Sequence, residues 1–272
     1  MASDRRTLLR NSFLTVFAAC LAACGRSARR STSSPAPSAA PARHSSRAVA
    51  QASTLGPPAA VASPRRPTTA AGIGAIEIEH GDRARPLVAL TFHGSGDPTL
   101  TTRLLSLVEH EGVHVSVMAV GMWVNTYPEL TRRILHGGHD LGNHTMHHLS
   151  MLDLSAVRVR AEIEQCAGAL RRATGSQGQW FRASATQHTN ATIRIAAGHA
   201  GYDHCVSYDV DGLDWQDPSA STVERAVLTA VRPGSIVSLH LGHPVTIAAL
   251  PAILSGLGDR GLAAVSLTEL LG

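Results

Sequence analysis

The 272-residue chain predicts an α/β domain, a parallel sheet covered by helices as an open sheet or a barrel. Three observations carry that expectation. Short apolar runs alternate with longer helix-like segments from about Ala75 to the end, the pattern of repeated strand–helix units. The first 70 or so residues lack this alternation altogether. Polar residues and histidines gather just behind the apolar runs, at the strand ends where parallel α/β folds build their sites.

The expected strands are Ala75–Glu79, Leu87–Phe92, Val113–Val120, Asp140–Asn143, Trp180–Arg182, Cys205–Asp209, Ser235–His240 and Ala263–Ser266. Between them, helices are expected at Thr99–Glu111, Pro128–Gly137, Ser155–Thr174, Asn190–Ala200, Ser219–Val231 and Val245–Gly258. Ser155 is placed to cap the third helix and Gly175 to stop it. In Val231-Arg232-Pro233-Gly234 the proline and glycine end a helix and turn into the next strand.

The N-terminus has the regions of an export signal: Arg5-Arg6, an apolar run from Leu14 to Ala23 broken only by Thr15, then Cys24-Gly25. Spanning a bilayer takes about 20 apolar residues, more than this run supplies. Leu21-Ala22-Ala23-Cys24 resembles a bacterial lipobox, which makes Cys24 the expected lipidation site; an ordinary secretory signal cut near Ala23 is the alternative. Arg5-Arg6 also resembles the twin-arginine pattern. Residues 1–24 are thus read as a lipoprotein signal. Residues 25–72, rich in Ala, Pro, Ser and Arg, form a disordered linker by composition, and 73–272 form the folded domain. The protein is then exported and held on the outer face of the cell membrane by lipid, or else secreted.

The net charge of +4 conceals a segregation. Residues 1–72 hold ten arginines and one acid, whereas 73–272 hold 14 arginines and 19 acids, a net charge of −5. A nucleic-acid-binding domain carries its positive charge on the fold itself, so nucleic acid is excluded as a partner. Cys166 and Cys205 remain in the domain; export permits a disulfide, and two buried free thiols are equally compatible with the sequence.

The strand-end clusters are Phe92-His93-Gly94-Ser95-Gly96-Asp97, Asn143-His144-Thr145-Met146-His147-His148, Phe181-Arg182, Asp211-Gly212-Leu213-Asp214-Trp215 and Leu239-His240. His144 and His148 are four apart, so one helical turn would aim both imidazoles at one zinc-like ion and turn His147 away. Trp123 and Trp180 read as core residues, Asp211 as a capping or supporting carboxylate, and His243 as a loop residue of no consequence.

These clusters, in this order, resemble the motifs of the NodB-like polysaccharide deacetylases, a family of metal-dependent hydrolases with a distorted (β/α) barrel, over about Pro86 to Gly272. The resemblance makes His144 and His148, within His144-Thr145-Met146-His147-His148, ligands of a divalent metal ion, zinc by expectation. It makes His240 the general acid and Asp214 the carboxylate that holds and tunes it. It also places Arg182 among the catalytic residues and Trp215, Leu239 and a backbone N–H near Ala185 against the substrate, an acetylated polysaccharide.

The first motif departs. Thr91-Phe92-His93-Gly94-Ser95 stands where the family has Thr-Phe-Asp-Asp-Gly, so both the base and one metal ligand are replaced. The phrase after Arg182, Ala183-Ser184-Ala185-Thr186, also differs from the family's. Three outcomes follow: His93 joins His144 and His148 in a three-histidine metal site; His93 acts as base while two histidines, with water or Asp97, hold the ion; or metal and hydrolysis are both lost and the cleft only binds glycan. The sequence is read as a metal-dependent deacetylase of an envelope or extracellular glycan. A catalytically impaired glycan-binding lipoprotein is the alternative.

Overall fold

A computed structural model describes residues 74–272. The expected signal (1–24), the lipidation site Cys24 and the linker (25–72) lie outside the described residues. Within them nine strands form one sheet: β1 (Ile76–Ile78), β2 (Leu87–Gly94), β3 (Ser116–Ala119), β4 (Asp140–Asn143), β5 (Trp180–Phe181), β6 (His204–Val206), β7 (Val210–Asp211), β8 (Ile236–His240) and β9 (Ala263–Val265). The order is β1-β6-β5-β4-β3-β2-β8-β7, with β9 added beside the first half of β2, and every strand pairing is parallel. β1 and β7 stand at the two ends of that order, which makes the structure an open, distorted barrel.

Seven helices lie between the strands, α1 (Pro98–His110), α2 (Gly121–Thr126), α3 (Pro128–His136), α4 (Ala156–Thr174), α5 (Ala191–His199), α6 (Ala220–Ala230) and α7 (Pro244–Gly258), and α8 (Leu267–Leu271) follows β9. Most starts have a local cause. Pro98, Pro128 and Pro244 occupy first-turn positions, where the missing N–H costs nothing. Asn190 accepts from the Ile193 amide, and Ser266 with Glu269 forms a capping box. Ser155 is a correction: its side chain makes no cap bond. Gly175 does end α4, in the left-handed conformation at φ 83°.

Strand alternation divides the side chains into two layers. Leu90, Phe92, Val117, Leu141, Val237 and Leu239 point outward and pack with Leu104, Leu105, Leu250 and Ile253 of the helices. The opposite face looks into the barrel, whose lower layer is apolar: Ala89, Met118, Trp180, Val206 and Ile236, closed from below by Leu267 and Leu270 of α8. Trp123 and Trp180 are both buried, as expected of core residues.

The strand Val113–Val120 is shortened at its start, because pairing with β2 begins only at Ser116, opposite Thr91. The strand expected at Cys205–Asp209 ends early, at Val206, and β7 begins just beyond that segment. β6 pairs with β1 and β5, whereas β7 pairs with β8, so the chain crosses from one end of the sheet to the other between them. Asp209 fixes the crossing, taking the Ile236 amide at 2.8 Å and the Arg83 guanidinium at 2.7 Å. Cys166 and Cys205 are buried free thiols in separate core clusters, and burial pushes both up to about 12.

Because α8 is a short cap on the barrel floor, Leu270→Ala should cost about 2–5 kcal/mol of stability, the usual range for a buried leucine; urea denaturation of the two proteins measures it.

Candidate active site

The upper layer of the barrel interior is polar, and four histidines converge there. His93, one residue before the end of β2, lies directly beside His240 at the end of β8. Their ring centroids are 4.4 Å apart; His93 lies 4.5 Å from His144, and His144 lies 4.9 Å from His148. The ligand nitrogens of His93, His144 and His148 fall within 4.8 Å of one another. His93 and His144 are buried and His148 is exposed, so the cluster is open on one side.

The histidine pair is brought together differently from expectation. Residues 144–148 are not helical: Thr145 and His148 take left-handed backbone conformations, at φ 66° and 57°. The loop is held open from several directions instead. Asn143 Oδ1 accepts from the Thr145 amide at 2.8 Å, while the amides of Gly121 and Met122, at the start of α2, donate to the carbonyls of Thr145 and Met146. His147 does turn away, toward Glu162 on α4.

His144 supplies the clearest chemical indication. Its Nδ1 lies 3.0 Å from the Arg182 carbonyl oxygen, which only accepts, so Nδ1 carries the proton and Nε2 is left with a lone pair. That Nε2 is buried without a hydrogen-bond partner. A backbone carbonyl fixing the tautomer from behind is the usual support of a metal-binding histidine. The imidazole donor set and the orphaned Nε2 fit a divalent ion held by His93, His144 and His148. Burial, with repulsion from neighbouring histidines and Arg182, holds His93 and His144 well below the usual histidine range, so both are neutral at pH 7.

His240 sits beside this cluster with a separate partner. The Asp214 carboxylate, fully buried, accepts from His240 Nδ1 at 2.8 Å and from the His240 amide at 2.8 Å, and also takes the Thr246 hydroxyl. Nδ1 of His240 therefore keeps its proton, with the ring orientation fixed by Asp214, and Nε2 is the atom that takes up or gives off a proton. The pairing of Asp214 with His240 agrees with expectation.

Arg182 is buried and has no carboxylate partner among the described residues. Its Nε donates to the Val206 carbonyl at 3.0 Å, Nη2 to the Ser207 carbonyl at 3.1 Å and Nη1 to the Thr91 hydroxyl at 2.9 Å. The guanidinium carbon lies 5.4 Å from the Tyr208 ring centroid. Burial lowers its pKa to about 10, which still leaves it charged at neutral pH.

Other expected residues fall variously. Asp97 does not reach the cluster: its carboxylate caps α1 through the Thr99 and Leu100 amides, at 2.7 and 3.1 Å. Leu239 is also corrected, since strand alternation turns it to the helix-facing core, opposite His240, where it has no exposed surface. Trp215 follows Asp214 on a short 3₁₀ turn and is 52% exposed, beside the site and not in the core. Ala185 is exposed at φ 52°, and its neighbour Ser184 is hydrogen-bonded to the Thr145 hydroxyl. Asp211 accepts from the Leu213 amide, a capping role. His243 pairs with Asp217 at 2.7 Å and lies 5.8 Å from the His240 ring, so it belongs to the rim of the site.

Sequence reasoning missed Ser238, whose hydroxyl is 3.0 Å from His93 Nε2, along with Thr246 and Glu162. Glu162 leaves a signal, a charge on the apolar stripe of α4 between Val159 and Cys166. Ser238 leaves another, as it shares the face of His240 two residues on.

Gly94 leaves no room for the side chain missing from the first motif. A Cβ placed there would lie 2.8 Å from the Ala119 Cα and 2.9 Å from the Met118 carbonyl oxygen. The neighbouring strand fills that space with its backbone, which cannot swing aside.

A family model described as polysaccharide deacetylase matches residues 80–204. The chitooligosaccharide deacetylase of Rhizobium leguminosarum bv. phaseoli is 32% identical over 213 residues, covering 71% of this chain and 92% of that protein. The peptidoglycan-N-acetylglucosamine deacetylase of Bacillus cereus is 30% identical, covering 68% and 88%. The chain spans 60% of the length of an uncharacterised Bacillus subtilis relative, YlxY. Among solved structures, a CE4 family pseudoenzyme from Bacillus anthracis superposes with a TM-score of 0.69 at 22% identity, over 74% of this chain and 70% of that one, and shares the fold.

Two outcomes follow from the geometry. The folded-state pKa values of His93 and His144 lie below their unfolded ones, so above pH 6.5 neither state holds the extra protons. Below it the unfolded chain gains them first, and the metal-free protein should lose stability as the pH falls; melting curves at pH 7.5 and 5.5 measure this. Gly94→Asp should destabilise the fold by at least the roughly 1–3 kcal/mol typical of overpacking without tightening zinc binding, as thermal unfolding and zinc titration would show.

Proposed function

Given that the chain belongs to the polysaccharide deacetylase family, we propose that it is a metal-dependent hydrolase removing acetyl groups from an acetylated envelope or extracellular glycan. The relatives' names point to N-acetylglucosamine polymers as the substrate class. The observation that carries the reading is the buried, unpartnered Nε2 of His144, with His93 and His148 in range of the same point. Three imidazoles and no carboxylate suit zinc among the divalent ions. When bound, such an ion would polarise the acetyl carbonyl and acidify a water molecule.

The chain's own residues supply the rest. His240 hands a proton from Nε2 to the departing amine or alcohol, while Asp214 holds the ring and stabilises its charged form. Trp215 and the backbone at Ala185 flank the glycan. Arg182 keeps the strand ends in register and adds fixed positive charge to the site. In this reading residues 73–272 are the catalytic domain, and the protein is exported and tethered by lipid at Cys24 on the outer face of the membrane, or secreted.

The second reading is a glycan-binding lipoprotein without turnover. It is supported by the replacement of both first-motif carboxylates and by the CE4 pseudoenzyme of like fold. Zinc titration and acetate release from N-acetylated chito-oligosaccharides separate the two. The hydrolase should bind one zinc, lose it with His144→Ala, and keep it with His240→Ala while activity drops about 10²–10⁴-fold. Saturable glycan binding with no acetate released in the presence of zinc would establish the second reading instead.

A further inference from the structure

Glu162 is a buried acid on the otherwise apolar face of α4, only 1% exposed. Its two oxygens are both directed to one residue of the histidine loop: Oε2 accepts from the His147 amide at 2.8 Å, and Oε1 lies 2.8 Å from His147 Nδ1. Arg158, on the solvent side, comes no closer than 3.5 Å. Burying a carboxylate is costly unless its bonds are made, so this one is committed to its partner. The partner stands between the two histidines of the loop, immediately before His148.

The backbone on either side is in conformations that a chain does not adopt by default. Thr145 and His148 both have positive φ, which costs a non-glycine residue about 1 kcal/mol or more and persists only where the surroundings impose it. Asn143 and the first amides of α2 fix the Thr145 side of the loop. On the His148 side, the two bonds from Glu162 do the equivalent work.

We infer that Glu162 is a positioning residue that, by gripping His147, sets the spacing between His144 and His148 for a divalent ion. It acts through the loop, touching neither the ion nor the glycan. The inference rests on the metal site proposed above. Supporting groups of this kind typically change metal affinity by about 10–100-fold.

The test uses the full chain, metal-free, titrated with zinc and separately with cobalt(II). Glu162→Gln keeps the size of the side chain but loses one of the two acceptors. His147→Ala removes the ring bond and retains the amide bond, and so serves if the first variant fails to fold. Zinc affinity should fall roughly 10–100-fold in Glu162→Gln and by less in His147→Ala, and the visible cobalt spectrum should shift in position or intensity. A change in melting temperature of the metal-free protein alone would reflect support of the fold. If the folded variants bind zinc as tightly as the unaltered chain with an unchanged cobalt spectrum, the positioning role is overturned. If the unaltered chain takes no zinc at millimolar concentration, the metal site itself falls, and the inference with it.

Discussion

The buried guanidinium of Arg182 ties the upper half of this barrel together. It leaves β5 and reaches the Val206 and Ser207 carbonyls and the Thr91 hydroxyl of β2 across the interior. Its own amide donates to the Asn143 carbonyl on β4, and its carbonyl fixes the His144 ring. A short, open barrel cannot fill its mouth with aliphatic side chains and still present a polar site. One planar cation with several fixed donors spans the space, and bonds to neutral oxygens carry its desolvation. The histidine cluster is therefore built on a polar network, whereas the floor below it rests on ordinary apolar packing.

That network also explains how His93 is tolerated. A carboxylate at this position would face Arg182 and share its charge. A neutral imidazole instead bonds Ser238 and stacks beside His240. Around the histidine cluster stand the Arg182 cation and the buried acid Asp214, which is fully occupied by His240 and Thr246. Such a site favours an added ion only through nitrogen lone pairs.

Much of this was legible in the sequence. Alternating segments gave the parallel architecture, and the strand-end positions of His93, Arg182, Asp214 and His240 named residues that the fold does bring together. What escaped depended on side-chain direction and on partners distant in the chain. The spacing of His144 and His148 suggested a helix, but two left-handed residues make the loop, and nothing local in Thr145 or His148 announces a positive φ. Leu239 looked like a neighbour of the site because it adjoins His240, yet alternation turns it outward. Asp97 shares a loop with His93, and the start of α1 claims its carboxylate. β7 escaped because it follows the expected Cys205–Asp209 run, where Asp209 redirects the chain through contacts with Arg83 and Ile236.

The tight fit around Gly94 makes an acid at this position a change that one strand cannot absorb alone. With a glycine against the backbone of the next strand, exchanging that one residue for an acid meets β3 itself and not a side chain that can turn away. A lineage carrying this arrangement can improve its histidines, lose them, or turn the cleft to another ligand. Paired acids here would require β2 and β3 to move apart together, so the chemistry open to this site is the one that imidazoles can provide.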